Sequence, residues 1–300
     1  MIERYFQFLG EDQTIQLLKA NEIPLTPSIR VNLLKIDAQT LENRLNGKEF
    51  KLEPIDWIHN GFKIRNSPLN LGSTHEYLQG FYYIQSVAPM LPALILDPNP
   101  SDFVIDMCAA PGGKATHLAQ IMNNEGSLIL IERNRNRIPA LDFNLRRMGV
   151  SNAIVINDDS VNLSKLNLKA DKILLDAPCT GEGLIRQDPS RKRSKTMEDI
   201  DKLSTIQRKL LKTGLNSLNP GGQLLYSTCS IAPEENELVI DDVLKDNSDF
   251  AIVKIPRKYG VDGIIEVYNK TLREDIKYSQ RLYPHLHDTI GFFISLIEKV

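Results

Sequence analysis

Two of the three cysteines in this sequence occupy comparable places. Cys179 follows the run "KILLDAP", and Cys229 follows "GQLLYST". Each run has the apolar content of a buried strand, so each cysteine marks a strand end. A small buried cysteine usually serves packing. Two in equivalent places, one of them three residues after the strand-end Asp176, point to chemistry instead. Adjacent strand ends would bring Cys179, Cys229 and Asp176 to one rim. A thiolate is a strong nucleophile. One reaction that uses two thiols and an acid is substitution at C5 of a cytosine. That carbon is a poor nucleophile while the ring is aromatic. Addition of a thiolate at C6 breaks the conjugation and makes C5 enamine-like, able to attack an electrophilic methyl group. An acid at N3 stabilises the charge that develops. C5 must then lose its proton and the thiolate must be expelled, which a second thiol can assist. A helix N-terminus or a cation lowers a thiol's pKa, and Lys114 is the candidate cation.

The remaining strand ends read as a ligand cradle. "DMCAAPGGKATH", residues 106–117, is a strand end, a small-residue turn and the start of a helix. Gly112 and Gly113 allow close backbone approach, and a helix N-terminus offers free N–H groups and a positive dipole end. A nucleotide-like ligand suits it. It is not a phosphate loop of the Walker type, because the first glycine is missing and Ala115 replaces Ser or Thr; it is not GxGxxG either. Glu132 ends the next strand, about 20 residues after the turn, where an acid commonly holds ribose hydroxyls. Asp158 or Asp159, in "NDDS", is placed to reach an adenine edge, or to cap a turn. In "DAPCTGEG", residues 176–183, Pro178 stiffens the turn and Gly181 and Gly183 keep it close to what it binds.

Two rhythms of secondary structure must position these residues. Residues 1–72 read as a small α+β region: helices at "IERYFQFL" and "TIQLLKAN", a strand at "SIRVNLLK", a helix capped by Asp37, and two short strands around a turn at His59-Asn60-Gly61. Residues 73–300 alternate strand and helix. "DFVIDM", "SLILIE", "AIVIN", "KILLDAP" and "GQLLYST" are strands, with helices between and after them, one of them ended by Asn219-Pro220-Gly221-Gly222. Such alternation predicts an α/β fold with a mostly parallel sheet and helices on both faces. Ligands bind such sheets beyond the carboxyl ends of the strands.

Composition is that of an ordinary globular chain. Of 300 residues, 42% are hydrophobic and 25% charged, and the formal net charge is -2. Contact with nucleic acid must therefore come from a local basic patch. No apolar run is long enough for a membrane span, and the first residues lack a signal-peptide core. Three cysteines without CxxC spacing argue against a disulfide framework or a metal site and for a cytoplasmic, reducing setting. A monomer without an obligate protein partner is the expectation.

"DMCAAPGGKATHLA", "DAPCTGEG", "STCS" and "RLYPHLHDTIGFFISLIEK", with "SIRVN" and "GFYYIQSVAPMLPALIL", resemble the motifs of the Nop/Sun family of RNA cytosine-5 methyltransferases. The resemblance runs from about residue 25 to 298. It implies a Rossmann-like class I methyltransferase domain and S-adenosyl-L-methionine as cofactor. By resemblance Cys108, Ala109, Ala110, Pro111, Gly112, Gly113 and Lys114 hold the methionine part, Glu132 the ribose, and Asp159 the adenine side. Arg137 matches a residue lining this site. Asp176 contacts the cofactor or the cytosine N3, Cys229 is the nucleophile, and Cys179 aids product release. The family often has Asp where Glu132 stands. Structured RNA is the implied partner, tRNA favoured over rRNA.

The basic run Arg186, Arg191, Lys192, Arg193 and Lys195 reads as a phosphate-binding stretch. By resemblance to the family's N-terminal motif, Arg30 and Asn32 help build the substrate side. His285 and His287 read as core residues before bases. Two other readings stand beside this one. Cys179 attacks instead of Cys229, or the chain is a non-catalytic RNA-binding assembly factor. An amino-group methyltransferase would show Asn/Asp-Pro-Pro-aromatic, from which "DAPC" departs.

Overall fold

A computed structural model describes residues 1–300. They form two compact units, Thr26–Ser160 and Met1–Leu25 with Val161–Val300. The chain opens with helices α1 (Ile2–Leu9) and α2 (Glu11–Ala20). Their apolar faces place Tyr5 and Leu17 in a core with Ile231 and Tyr283, which is why these helices group with the C-terminal residues.

In Thr26–Ser160 the first layer is an antiparallel sheet. Its strands are β1 (Ser28–Val31), β2 (Lys51–Ile55), β3 (Ile58–Asn66) and β4 (Tyr82–Ile84), in the order β2-β3-β1-β4. Helix α3 (Ala38–Asn46) packs Leu41 and Leu45 on Ile29, Val31 and Phe62, and Asp37 caps it by accepting from the Thr40 N–H. The short α4 (His75–Leu78) precedes β4. The turn expected at His59-Asn60-Gly61 is absent. Ile55 pairs with Ile58, so the chain turns at Asp56-Trp57 and Asn60 and Gly61 lie inside β3. Gly61 pairs with Arg30, and a Cβ there would stand 2.9 Å from the Ile58 side chain. The glycine serves close packing in the ladder, which outweighs local turn preference. The division expected at residue 72 also falls differently from the compact units: β4 lies beyond it and completes the edge of β1.

The second layer of this unit is α/β. Helix α5 (Leu91–Leu96) leads to β5 (Phe103–Asp106), α6 (Gly113–Ile121), β6 (Ser127–Ile131), α7 (Ile138–Met148) and β7 (Ala153–Ile156). The three strands are parallel and neighbouring. Val104, Ile105, Leu128 and Leu130 are fully buried, as strands covered on both faces require.

The other unit contains β8 (Ala170–Asp176), α8 (Met197–Asn216), β9 (Leu218–Thr228), α9 (Glu237–Leu244) and β10 (Phe250–Val253). There follow β11 (Val261–Asp262), β12 (Glu266–Val267), β13 (Lys270–Thr271), β14 (Gln280–Leu282), α10 (Pro284–His287) and β15 (Phe292–Lys299). β8 and β9 are parallel, with Asp176 paired to Ser227. β15 runs antiparallel to β9, and β14 and β10 antiparallel to β15. A capping box of Thr196 and Asp199 starts α8. The helix ends at Asn216, before the four residues expected to stop it; Asn219 to Gly222 already belong to β9, where the pairing with β8 shifts register. No helix is long and apolar enough to cross a membrane.

Candidate active site

The register of β8 against β9 sets the geometry. Because Asp176 lies opposite Ser227, the two strands end level and their following loops leave side by side. Cys179 Sγ and Cys229 Sγ are 3.1 Å apart, and both are free thiols. That distance is a hydrogen-bonded contact in which one sulfur donates to the other. Ser227 Oγ donates to Asp176 Oδ1 at 2.8 Å, turning one carboxylate oxygen toward the rim of β9. The hydrogen bond with Cys229 pushes the Cys179 thiol well above the usual range, and burial and the charges of Glu235 and Asp176 add to it.

The loops are stapled to each other. The Gly183 N–H donates to the Cys229 carbonyl at 2.9 Å, and the Gly291 N–H to the Gly183 carbonyl at 2.8 Å. A Cβ on Gly183 would lie 2.2 Å from the Gly291 oxygen and 2.7 Å from the Cys229 oxygen, so only glycine fits. Arg191 Nη1 donates to the Thr180 carbonyl at 3.0 Å. Glu182 is buried and paired with Arg4 of α1 at 2.9 Å, while Arg4 also binds Glu234 at 2.7 Å. Glu235, fully buried, accepts from the Thr180 N–H at 2.8 Å and from Gln207 Nε2 at 3.1 Å. Of these supporting residues the sequence singled out Gly183, for a close turn, and Arg191, for phosphate contact, which instead holds the Thr180 carbonyl. For the others, the acids just after "STCS" are the one signal that was available.

The nucleotide-like cradle lies in Thr26–Ser160. Helix α6 starts after Gly112, which adopts φ 104°, and no side chain caps it. A helix N-terminus of this kind presents its positive dipole end to an anionic group. The Cys108 N–H donates to Asp106 Oδ1 at 3.1 Å, and the Ala109 N–H to the Ile131 carbonyl at 3.0 Å, which ties the turn to the end of β6. Glu132 is buried. It accepts from the Asn134 N–H at 2.7 Å and the Ala110 N–H at 3.3 Å and pairs with Arg137 at 3.5 Å. Arg137 also donates to the Ala110 carbonyl. Residues 108–113, Glu132 and Arg137 are thus brought together. Asp159 pairs with the exposed Arg133 at 3.4 Å, and its N–H bonds Asp158 Oδ1 at 2.7 Å. Lys114 lies in the first turn of α6, in this unit, whereas Asp176 and both cysteines belong to the other.

Several residues expected at the substrate side are occupied internally. Arg30 is fully buried and donates to Gln85 Oε1, the Gly113 carbonyl and Thr116 Oγ1 at 2.7 to 2.8 Å. Asn32 bonds the Gly80 and Met148 carbonyls. In the basic run, Arg186 is buried against the Ile23 carbonyl and Asp288, and Lys192 pairs with Glu22. In that run Arg193 is exposed and Lys195 half-buried. His285 Nε2 meets Gln13 Oε1, and His287 Nδ1 meets the Tyr283 backbone; burial lowers the pKa of both.

Residues 93–298 match the model of the 16S rRNA methyltransferase RsmB/F family, and residues 1–87 match the N-terminal domain of 16S rRNA methyltransferase RsmF. The chain is 38% identical over 301 residues to a tRNA (cytosine(49)-C(5))-methyltransferase of Pyrococcus abyssi, covering 100% of this chain and 95% of that one. It is 36% identical over 306 residues to a 25S rRNA (cytosine-C(5))-methyltransferase of Schizosaccharomyces pombe, covering 100% of this chain and 50% of that one. This chain thus spans half or less of the length of several eukaryotic rRNA relatives. A methyltransferase homolog from Pyrococcus horikoshii has a crystal structure that superimposes with TM-score 0.91 at 44% identity over 99% of this chain and 94% of that chain. The fold is that of a class I methyltransferase with an N-terminal domain.

Proposed function

The chain belongs to the RsmB/F (Nop/Sun) family of RNA cytosine-C5 methyltransferases, and from that premise we propose that it methylates C5 of a cytosine in structured RNA through a covalent adduct between Cys229 and C6. The observation that carries this reading is the 3.1 Å contact of Cys179 and Cys229 sulfurs at level strand ends, with Asp176 paired to Ser227 beside them. S-adenosylmethionine, the cofactor the family implies, supplies an electrophilic methyl group. The uncapped start of α6 and the backbone of Cys108 to Lys114 suit its charged amino-acid end. Glu132 has lone pairs left for ribose hydroxyls beyond its backbone partners, and Arg137 steadies it. Asp159 is assigned to the adenine side, and Asp176 to the cofactor or to cytosine N3.

The protein's own steps follow from the thiol pair. Cys229 thiolate forms the S–C6 bond, and the ring electrons this displaces collect at C5 and N3. After methyl transfer the C5 proton leaves to solvent. The C6–S electrons return to Cys229, with the S–H of Cys179 within hydrogen-bond reach to stabilise the departing sulfur. The pushed-up pKa of Cys179 supports its place as the protonated partner. Two thiols without a disulfide suit a cytoplasmic, reducing setting. Residues 1–72 are assigned to the RNA side, supported by the match of residues 1–87 to the N-terminal domain of an rRNA methyltransferase. A tRNA substrate is favoured over rRNA by the P. abyssi relative, which this chain matches over 95% of its length.

The test is a denaturing gel of wild type, Cys179→Ala and Cys229→Ala with S-adenosylmethionine and either tRNA or rRNA. A slow, RNase-sensitive band only in Cys179→Ala is expected, with tRNA. The same band only in Cys229→Ala would reverse the two roles, and a band with rRNA alone would overturn the substrate.

A further inference from the structure

Cys179 sits between two residues that are both held from the buried side. Gln207 Nε2, on α8, donates to the Pro178 carbonyl at 2.8 Å. Glu235 takes the Thr180 N–H on Oε1 at 2.8 Å and the Thr180 hydroxyl on Oε2. Gln207 Nε2 also reaches Glu235 Oε1 at 3.1 Å, closing a ring of contacts around the turn. Thr180, Gln207 and Glu235 are all fully buried. Every side-chain partner of Glu235 is a donor, the set an ionised carboxylate takes. Glu235 also lies six residues past Cys229 on the same loop, and the Tyr226 hydroxyl pins its backbone carbonyl at 2.6 Å. One segment therefore carries one cysteine and grips the other.

We propose that Glu235 is a positioning residue that makes the two thiols unequal. Its buried carboxylate clamps the Pro178-Cys179-Thr180 turn and holds Cys179 as hydrogen-bond donor to Cys229. This rests on the roles assigned above: the nucleophile gains an S–H donor, and the release residue keeps its proton. A negative charge near a thiol disfavours its thiolate. The titratable groups facing Cys179 are Cys229, Glu235, Asp176 and Tyr226. Glu235 grips the turn through the Thr180 N–H and hydroxyl. The direction of the Cys179 shift agrees.

The proposal is tested without RNA, so its failure is separate from failure of the adduct assay. Iodoacetamide labelling across pH, read at each cysteine by peptide mass spectrometry, reports thiolate content. In wild type at pH 7.5 Cys229 should label at least about tenfold faster than Cys179; equal rates, or a faster Cys179, would overturn the idea whether or not any variant folds. Glu235→Gln keeps the shape and removes the charge. It should move the Cys179 midpoint down by about one pH unit, a tenfold gain in thiolate at a fixed pH. Glu235→Asp, which keeps the charge, should restore the wild-type order. An unmoved midpoint in a folded Glu235→Gln protein would reduce Glu235 to a packing role.

Discussion

Against the Gly112-Gly113 turn lies a fully buried cation, Arg30, whose partners are Gln85, the Gly113 carbonyl and Thr116. Against the Pro178-Cys179-Thr180 turn lies a fully buried carboxylate, Glu235, whose side-chain partners are Thr180 and Gln207. Neither ion is matched by an opposite charge in these contacts. Burial pulls the Arg30 guanidinium down to about 9, and the charge of Arg147 adds to this, yet it remains a cation at neutral pH. Each of these two turns, one in each unit, is thus held by an ion solvated by neutral dipoles of the loop it supports. The sign differs with the groups to be fixed. The first turn of α6 offers Arg30 oxygens, and the thiol turn offers Glu235 an N–H and a hydroxyl. A lone buried ion anchors a loop when the loop itself satisfies it.

The largest effect should come from Cys229→Ala. Methyl transfer should fall below detection, while binding of S-adenosylmethionine, followed by calorimetry, stays within about twofold of wild type; loss of binding would mean the two halves are not separable in function. Next, Arg30→Met leaves the Gly113 carbonyl and its neighbours without their donor. It should cost about 2–3 kcal/mol in urea unfolding and weaken cofactor binding, with the labelling order of Cys179 and Cys229 unchanged. A changed order would show that Arg30 reaches the thiols.

Opposite pH liabilities should separate the halves more finely. His117, buried in Thr26–Ser160, is held well below its ordinary 6.5 by burial and by Arg30. Below that pH the unfolded chain binds a proton the folded one refuses, so stability is lost as pH falls through 6.5. Cys179 is held above its ordinary 9.0, so the folded chain keeps a proton the unfolded one releases, and stability is lost as pH rises past 9.0. In melting curves against pH, His117→Asn should reduce the loss below pH 6.5, to which His285 and His287 also contribute, and Cys179→Ser should reduce the loss above pH 9.0; either variant flattening the wrong arm would refute the assignment. The smallest effect belongs to an exposed pair. Arg65 and Glu53 are both half exposed, and Arg65→Ala should change unfolding free energy by less than about 1 kcal/mol. A larger loss there would blur the contrast with the buried ions.

Most elements were legible because their signals are local. Alternating apolar runs separated by turn residues announced β5 to β9 with the helices among them, and Asp37 announced the start of α3. Asn60-Gly61 misled because its turn preference is also local, whereas its place in β3 depends on contact with Ile55, Ile58 and β1. Arg30 and Arg186 looked like surface cations because a sequence gives charge without burial.

By itself the sequence determined which residues end strands, and hence that Asp176, Cys179 and Cys229 gather at one rim and that Gly112 precedes a helix start. Those follow from periodicity and backbone freedom, which neighbours in the chain impose. Only the tertiary structure decided that the sulfurs touch, that Glu235 and Gln207 grip the turn of Cys179, and that Arg30 supports Gly113. Those contacts join residues distant in sequence, and their energies come from burial and hydrogen-bond geometry, which exist only once the chain has packed.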